Sequence, residues 1–274
     1  AMSIMPWNFY VQYGAIDMLQ DNFDGMKEHV EWMKKWVDEE GIMFSREPNE
    51  EDPIVWMNLG EWAMPAPPNS VSQPIVHTFY YWRCADFTAK AAKALGNTAD
   101  AEKYSALAER TRQAFYARFY DAEKGTYGNY GANIFALTMG VPDEQYDQVI
   151  ASLKKNIEEN DGHLDTGIFG TRFFFETLAN NGLNDLAFEA MNKTTEPSYG
   201  RWLELGSTTT REHWGEGGSH NHPMFGGGLV WLYRNLAGMK ADPEQPGYKH
   251  IIFKPQPVDQ MEYVKYFYET SYGR

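Results

Sequence analysis

The sequence predicts an all-α fold of paired antiparallel helices, closed as a toroid or stacked as a solenoid. Three observations carry this reading. Apolar residues recur at three- and four-residue spacing through most of the chain, glycines and capping residues punctuate those segments, and long polar or proline-rich loops join some of the pairs. No fixed repeat period supports a regular repeat solenoid, which favours the toroid.

In order, the spacing predicts helices over 6–13, 18–37, 72–95, 100–119, 129–139, 145–158, 166–180, 183–192 and 224–236. Gly96 stands where a C-cap glycine belongs, with Asn97 or Thr98 ready to cap the next helix; Gly140 and Gly182 close two more. Successive helices therefore reverse direction. Between them, 39–71 is an acidic, proline-rich connection too long for a plain turn, and loops of that length are often functional. At the far end, 248–257 places Ile251, Ile252 and Phe253 before a proline and reads as the first strand of a different unit.

The 274 residues, 43% of them apolar and 15% aromatic, are ample for a core in one large domain or two ordinary ones. A formal net charge of -14 argues against nucleic acid or an anionic membrane as the main partner, because both attract basic surfaces. No window approaches the ~20 apolar residues of a membrane span, and no signal-peptide pattern opens the chain, so the localisation stays unknown. Cys84 is the single cysteine, which rules out an intramolecular disulfide. Its place in the pattern Val76, Tyr80, Cys84, Phe87, Ala91, Leu95 makes it a core thiol rather than a nucleophile.

The densest chemistry lies in 208–225, where Glu212 and Glu216 stand among His213, His220, His222 and Trp214 in a glycine-rich setting. That mixture suits a sugar: an aromatic face to stack on the ring, with acids and imidazoles to read its hydroxyls. A loop with so few aliphatic side chains contributes little burial, so its polar residues are better explained by function than by packing. In a toroid, this loop, the run 60–62 and the run 163–171 would converge at one mouth.

Six short runs then carry a family resemblance. Leu59-Gly60-Glu61-Trp62, His77-Thr78-Phe79-Tyr80-Tyr81, His163-Leu164-Asp165-Thr166-Gly167-Ile168-Phe169-Gly170-Thr171, Thr208-Thr209-Thr210-Arg211-Glu212-His213-Trp214, Asn221-His222-Pro223-Met224-Phe225-Gly226 and Pro246-Gly247-Tyr248-Lys249 resemble, in this order, the bacterial α-L-rhamnosidases of glycoside hydrolase family 78. The resemblance implies an (α/α)6 toroid over 1–245, then over 246–274 a linker and the first strand of a C-terminal β-sandwich. It further implies inverting hydrolysis of terminal α-L-rhamnosides, which requires two carboxyl groups roughly 6.5 to 9.5 Å apart, one to protonate the leaving oxygen and one to activate water. On this basis the general base is Glu212, kept ionised by a neighbouring cation such as Arg211; His222 is a sugar-hydroxyl ligand, Trp62 and Trp214 are ring-stacking walls, and Glu61 belongs to the substrate-binding set. Read from the residues alone, the bland alternative for both indoles is edge-of-core packing, the less favoured of the two readings, and for His222 a hydrogen-bonded structural imidazole, equally weighted.

Departures from the family pattern set further expectations. The family's general acid lies in an acidic, tryptophan-containing motif early in the barrel, with no counterpart upstream of Pro6, so the toroid is expected to be incomplete and the isolated chain impaired. An uncovered toroid edge would invite self-association. Glu61 stands where the family usually has aspartate. Glu47, Glu50, Glu51 and Asp52 read as a solvated run, Asp165 as a turn or cap residue, and nothing in the spacing of Glu204 or Glu216 makes either an acid. No cofactor is expected: there is no Gly-rich phosphate turn, no D-x-D-x-D-G loop, and three histidines on a flexible loop are weak grounds for zinc. Two alternatives stay open, a helical-toroid glycosidase or lyase acting on another sugar and a non-catalytic sugar-binding fragment.

Overall fold

The computed structural model describes residues 2–43, 60–65 and 71–273. Glu47, Glu50, Glu51, Asp52 and Leu59 lie outside the described residues. Among the described residues ten α-helices run in order: α1 (Ile4–Tyr13), α2 (Ile16–Lys34), α3 (Gln73–Ala94), α4 (Thr98–Phe119), α5 (Tyr130–Met139), α6 (Asp143–Glu159), α7 (Ile168–Asn180), α8 (Asn184–Asn192), α9 (Tyr199–Glu204) and α10 (Gly227–Trp231). Two short strands follow, β1 (Met239–Ala241) and β2 (Ile251–Phe253), paired antiparallel with Lys240 opposite Ile252.

Burial sorts the helices into two layers. Along α2 the buried positions are Leu19, Phe23, Met26, Val30 and Met33, and along α6 they are Val149, Leu153 and Ile157, each a single apolar stripe with charge opposite. In α5 and α7, by contrast, buried residues occur on nearly every side. The stripe helices form the outer layer, and α1, α3, α5, α7 and α10 form the inner one, each packed on the next. Phe79 of α3, Phe135 of α5 and Phe173 of α7 meet edge-on or tilted at the centre of the largest core cluster. The all-α paired-helix class is therefore the observed one.

The helix limits follow local chemistry. Asn97 accepts the Asp100 N–H at 3.1 Å to cap α4, and Gly96, at φ +75°, supplies the left-handed residue that lets α3 turn back into it. Asn129 caps α5 through the Ala132 N–H.

Three differences from the sequence reading have physical causes. The single helix expected over 224–236 is a 3-10 turn (Pro223–Phe225), then α10, then a π-helical turn (Leu232–Leu236). The glycine run explains the break: a Cβ on Gly227 would stand 2.4 Å from the Thr171 carbonyl oxygen, so α10 sits closer to α7 than any larger residue allows. The short helix α9 has no long apolar period to announce it and is opened by Ser198, whose hydroxyl accepts the Arg201 N–H. Within 248–257 only Ile251–Phe253 are strand, and their partner β1 is three residues long, too short for a period-two signal.

Candidate active site

The site is organised by the turn that leads into α7. Two segments far apart in sequence, 61–62 and the loop at Trp214, hang from residues 166–170. The Ile168 N–H donates to the Trp62 carbonyl at 2.9 Å, the Trp214 indole N–H donates to the Thr166 carbonyl at 2.9 Å, and the Glu61 carboxylate accepts the Phe169 and Gly170 N–H groups at 3.0 Å each. The expected convergence of 60–62, 163–171 and 208–222 is thus made by direct hydrogen bonds.

Glu212 lies in a two-stranded polar ribbon that folds back on itself. Its N–H donates to the Ser219 carbonyl and its carboxylate Oε2 accepts the Ser219 N–H, both at 2.9 Å. Further along, the His222 N–H donates to the Thr210 carbonyl at 2.8 Å, and the Thr210 hydroxyl donates to the His222 carbonyl at 2.7 Å. The Thr209 hydroxyl donates to the His220 carbonyl. Gly218 makes the return possible, since its φ of +78° is left-handed and a Cβ there would lie 2.9 Å from Glu212 Oε2.

The ribbon holds Glu212 as an anion. The Ser219 N–H keeps its carboxyl below the usual range; desolvation opposes it, and the His222 and His213 imidazoles add smaller lowering effects. His213 Nε2 is 3.9 Å from Glu212 Oε1, and the Glu212 side chain is 28% exposed. A partly exposed carboxylate kept in its charged form has no proton to give and stands ready as an acceptor.

Other expected site residues take different places. Trp62 is exposed at 40%. Trp214 is 1% exposed, stacked on Trp202 with centroids 4.6 Å apart and packed on Phe225 at 4.5 Å. It is therefore a core anchor for the ribbon and not a ring-stacking wall; Trp202 reinforces the anchor by donating its indole N–H to the Trp214 carbonyl. Arg211 is also buried, and its Nε donates to the Ser207 hydroxyl at 2.7 Å. The cationic influence expected of it at Glu212 comes instead from the two imidazoles. Glu61 is 6% exposed with both carboxylate oxygens on backbone N–H groups, so it caps α7 and offers no free oxygen to a sugar.

The remaining candidates are simpler. Glu204 faces Arg201 at 3.5 Å on the surface and Glu216 is exposed. Asp165 is buried just ahead of α7, whose cap position is Gly167. Cys84 is buried, and desolvation pushes its thiol up to about 11. Among the described residues, no three His, Cys, Asp or Glu side chains gather as they would to hold a metal ion, and no helix is long and apolar enough to cross a membrane.

Sequence reasoning passed over Thr166, Trp202 and Ser219, whose roles rest on one backbone carbonyl, one ring contact and one backbone N–H. Only a residue's side-chain type is visible in sequence. A cavity of about 1340 Å³ is lined by Phe9, Tyr13, Arg83, Met139, Arg172 and Tyr233 among others, and by none of the residues of the Glu212 ribbon.

Comparison with known proteins identifies the family and the fold. The bacterial alpha-L-rhamnosidase 6 hairpin glycosidase domain matches residues 1–236, and the bacterial alpha-L-rhamnosidase C-terminal domain matches 238–274. An alpha-L-rhamnosidase of Streptomyces avermitilis is 27% identical across 98% of this chain and 26% of its own length; one from Formosa agariphila is 28% identical across 99% and 30%. The solved alpha-L-rhamnosidase of Dictyoglumus thermophilum superposes with a TM-score of 0.83 at 31% identity, over 94% of this chain and 29% of that one. The Streptomyces avermitilis enzyme complexed with L-rhamnose gives 0.80 at 27% identity, over 93% and 24%. The chain thus spans roughly a quarter to a third of the length of these relatives. With its helical part and its C-terminal part matched in chain order by the two domains of one enzyme type, the chain belongs to the bacterial alpha-L-rhamnosidase family of six-hairpin glycosidases.

Proposed function

We propose that this chain carries the base-bearing part of an inverting glycoside hydrolase that removes terminal α-L-rhamnosyl groups. The observation that supports the reading most is the Glu212 carboxylate, half-buried on the polar ribbon and held in its charged form by Ser219, with His222 and His213 beside it. In the proposed reaction, Glu212 takes a proton from a water molecule as that water attacks the anomeric carbon. A second carboxyl group protonates the leaving oxygen from the opposite face. Trp62 offers its indole to the apolar face of the sugar ring, and His222 reads a ring hydroxyl. The relatives named alpha-L-rhamnosidase, one of them solved with L-rhamnose, support the choice of sugar.

The test compares a rhamnosyl disaccharide with an aryl α-L-rhamnoside whose good leaving group needs little protonation, using the chain and its Glu212→Gln variant. Hydrolysis of the aryl substrate, lost at least ~10²-fold in Glu212→Gln with the fold intact, is the expected result. Turnover of the disaccharide as well would place an acid within these residues. Aryl turnover undiminished in Glu212→Gln would overturn the role given to Glu212. L-Rhamnose binding without turnover would favour a sugar-binding role for the chain on its own.

A further inference from the structure

We propose that Glu61 is a positioning residue, which clamps the 60–62 segment onto the first turn of α7 and sets sugar affinity through Trp62 without touching the sugar. This rests on the reading of Trp62 as the sugar's aromatic platform. The geometry of the clamp stands apart from that reading. Oε1 of Glu61 accepts the N–H groups of Phe169 and Gly170 at 3.0 Å, Oε2 accepts that of Gly170 at 3.0 Å, and the Gly167 N–H also faces the carboxylate. One residue on, the Trp62 carbonyl accepts the Ile168 N–H at 2.9 Å. The first-turn N–H groups of a helix have no intrahelical partners, so the 61–62 segment supplies acceptors that α7 otherwise lacks.

The opposite surface is cut to receive it. A Cβ on Gly167 would stand 1.9 Å from the Trp62 carbonyl oxygen and 2.7 Å from Glu61 Oε1. A Cβ on Gly170 would meet Glu61 Oε2 at 3.2 Å. Gly167 has φ -86°, which any residue adopts, so close approach alone requires glycine there. Donors, acceptors and missing side chains thus converge on one seat for Glu61 and Trp62. Thr166 in the same turn holds Trp214, two residues from Glu212, so the seat fixes the exposed indole and the ribbon to one rigid element.

The experiment is a double-mutant cycle on L-rhamnose affinity, by calorimetry on the full chain, with Glu61→Ala, Trp62→Ala and the pair. The expected result is at least a tenfold loss in each single variant and no further loss in the pair, because Glu61 acts only through Trp62. Additive losses would overturn the proposal, since they would mean that Glu61 acts on the sugar or the fold independently. Gly167→Ala, which crowds the Trp62 carbonyl and the Glu61 carboxylate off their seat without removing either side chain, is expected to weaken binding comparably and covers the case in which Glu61→Ala does not fold. Should the parent chain bind no L-rhamnose, the sugar reading fails, and amide hydrogen exchange still decides the clamp. The Ile168 N–H, bonded to Trp62 and not to Glu61, loses protection at least tenfold in Glu61→Ala if Glu61 positions Trp62, and unchanged protection there overturns the proposal.

Discussion

Ser219 and Glu212 exchange two hydrogen bonds, the backbone N–H of each reaching an oxygen of the other at 2.9 Å. One of them ends on the Glu212 carboxylate, and it is the largest influence holding that group below its ordinary value of 4.5. A depressed carboxyl contributes stability that is present above the unfolded value and is lost as pH falls through the folded one. NMR titration of labelled glutamate carboxyls, assigned with Glu212→Gln, is expected to find Glu212 titrating below 4.5. His213→Gln and His222→Gln should each raise it, since each removes a nearby imidazolium. A value above 4.5 in the parent chain would refute the stabilisation of the charged form by the Ser219 N–H; only titration at or above neutral pH would remove the anion that the base role needs.

Gly218 should tolerate no side chain. Its φ of +78° is left-handed, and an added Cβ would sit 2.7 Å from His213 Cδ2 and 2.9 Å from Glu212 Oε2. Left-handed backbone alone costs a non-glycine residue roughly 1 to 2 kcal/mol. Gly218→Ala is expected to lower unfolding stability by about that amount in urea titration. It should also raise the Glu212 titration by loosening the Ser219 contact. Gly217→Ala, where an added Cβ meets nothing within 4 Å, is the control and should leave Glu212 unchanged.

How far the sequence discloses this molecule differs from element to element, for physical reasons. Helices α2 and α6 announce themselves because an apolar stripe on a charged background repeats for several turns. Glu212 is legible because a carboxylate among imidazoles and glycines has little packing use. Trp214 is not, since the indole that would stack on a sugar is the same group that stacks on Trp202, and only the third dimension separates the two. Arg211 misleads similarly: adjacency to Glu212 in sequence turns its side chain towards Ser207 instead. Glu61 is the hardest case, because its partners are backbone N–H groups more than a hundred positions away.

The two indoles should therefore behave oppositely. Trp214→Ala empties a site 1% exposed among Trp202, Tyr199 and Phe225, and is expected to cost about 3 to 5 kcal/mol of unfolding stability. Trp62→Ala, at a position 40% exposed, is expected to stay within about 0.5 kcal/mol of the parent chain while losing sugar affinity. Equal destabilisation by both, in urea titrations followed by circular dichroism, would refute the division between anchor and platform.

Cys84 should be chemically silent in the folded chain. Burial pushes its thiol up to about 11, so near neutral pH the reactive thiolate is scarce as well as shielded. A disulfide reagent such as Ellman's is expected to label the native protein slowly, at a rate set by unfolding, and to label it at once in denaturant. Rapid labelling of the native chain would contradict the core assignment.

Glu61 makes the fold's stability depend on pH in the opposite sense to Glu212. Its carboxyl is desolvated, and burial pushes it from 4.5 up to about 7 although the N–H groups of Gly170, Phe169 and Gly167 oppose the shift. Because the folded value is raised, the stability linked to this group is fully present below the unfolded value and is lost as pH rises through the folded one. The window is therefore pH 4.5 to about 7, and a shift of that size corresponds to a change on the order of 3 kcal/mol across it. Glu61→Gln keeps one acceptor oxygen for α7 and cannot ionise, so its stability should be flatter with pH through the same window. Urea titrations at intervals from pH 4 to 8 read this directly: the parent chain should lose stability relative to Glu61→Gln as pH rises. Parallel curves would show that Glu61 titrates alike in the folded and unfolded chain, and that its carboxyl is not sealed in the seat that α7 provides.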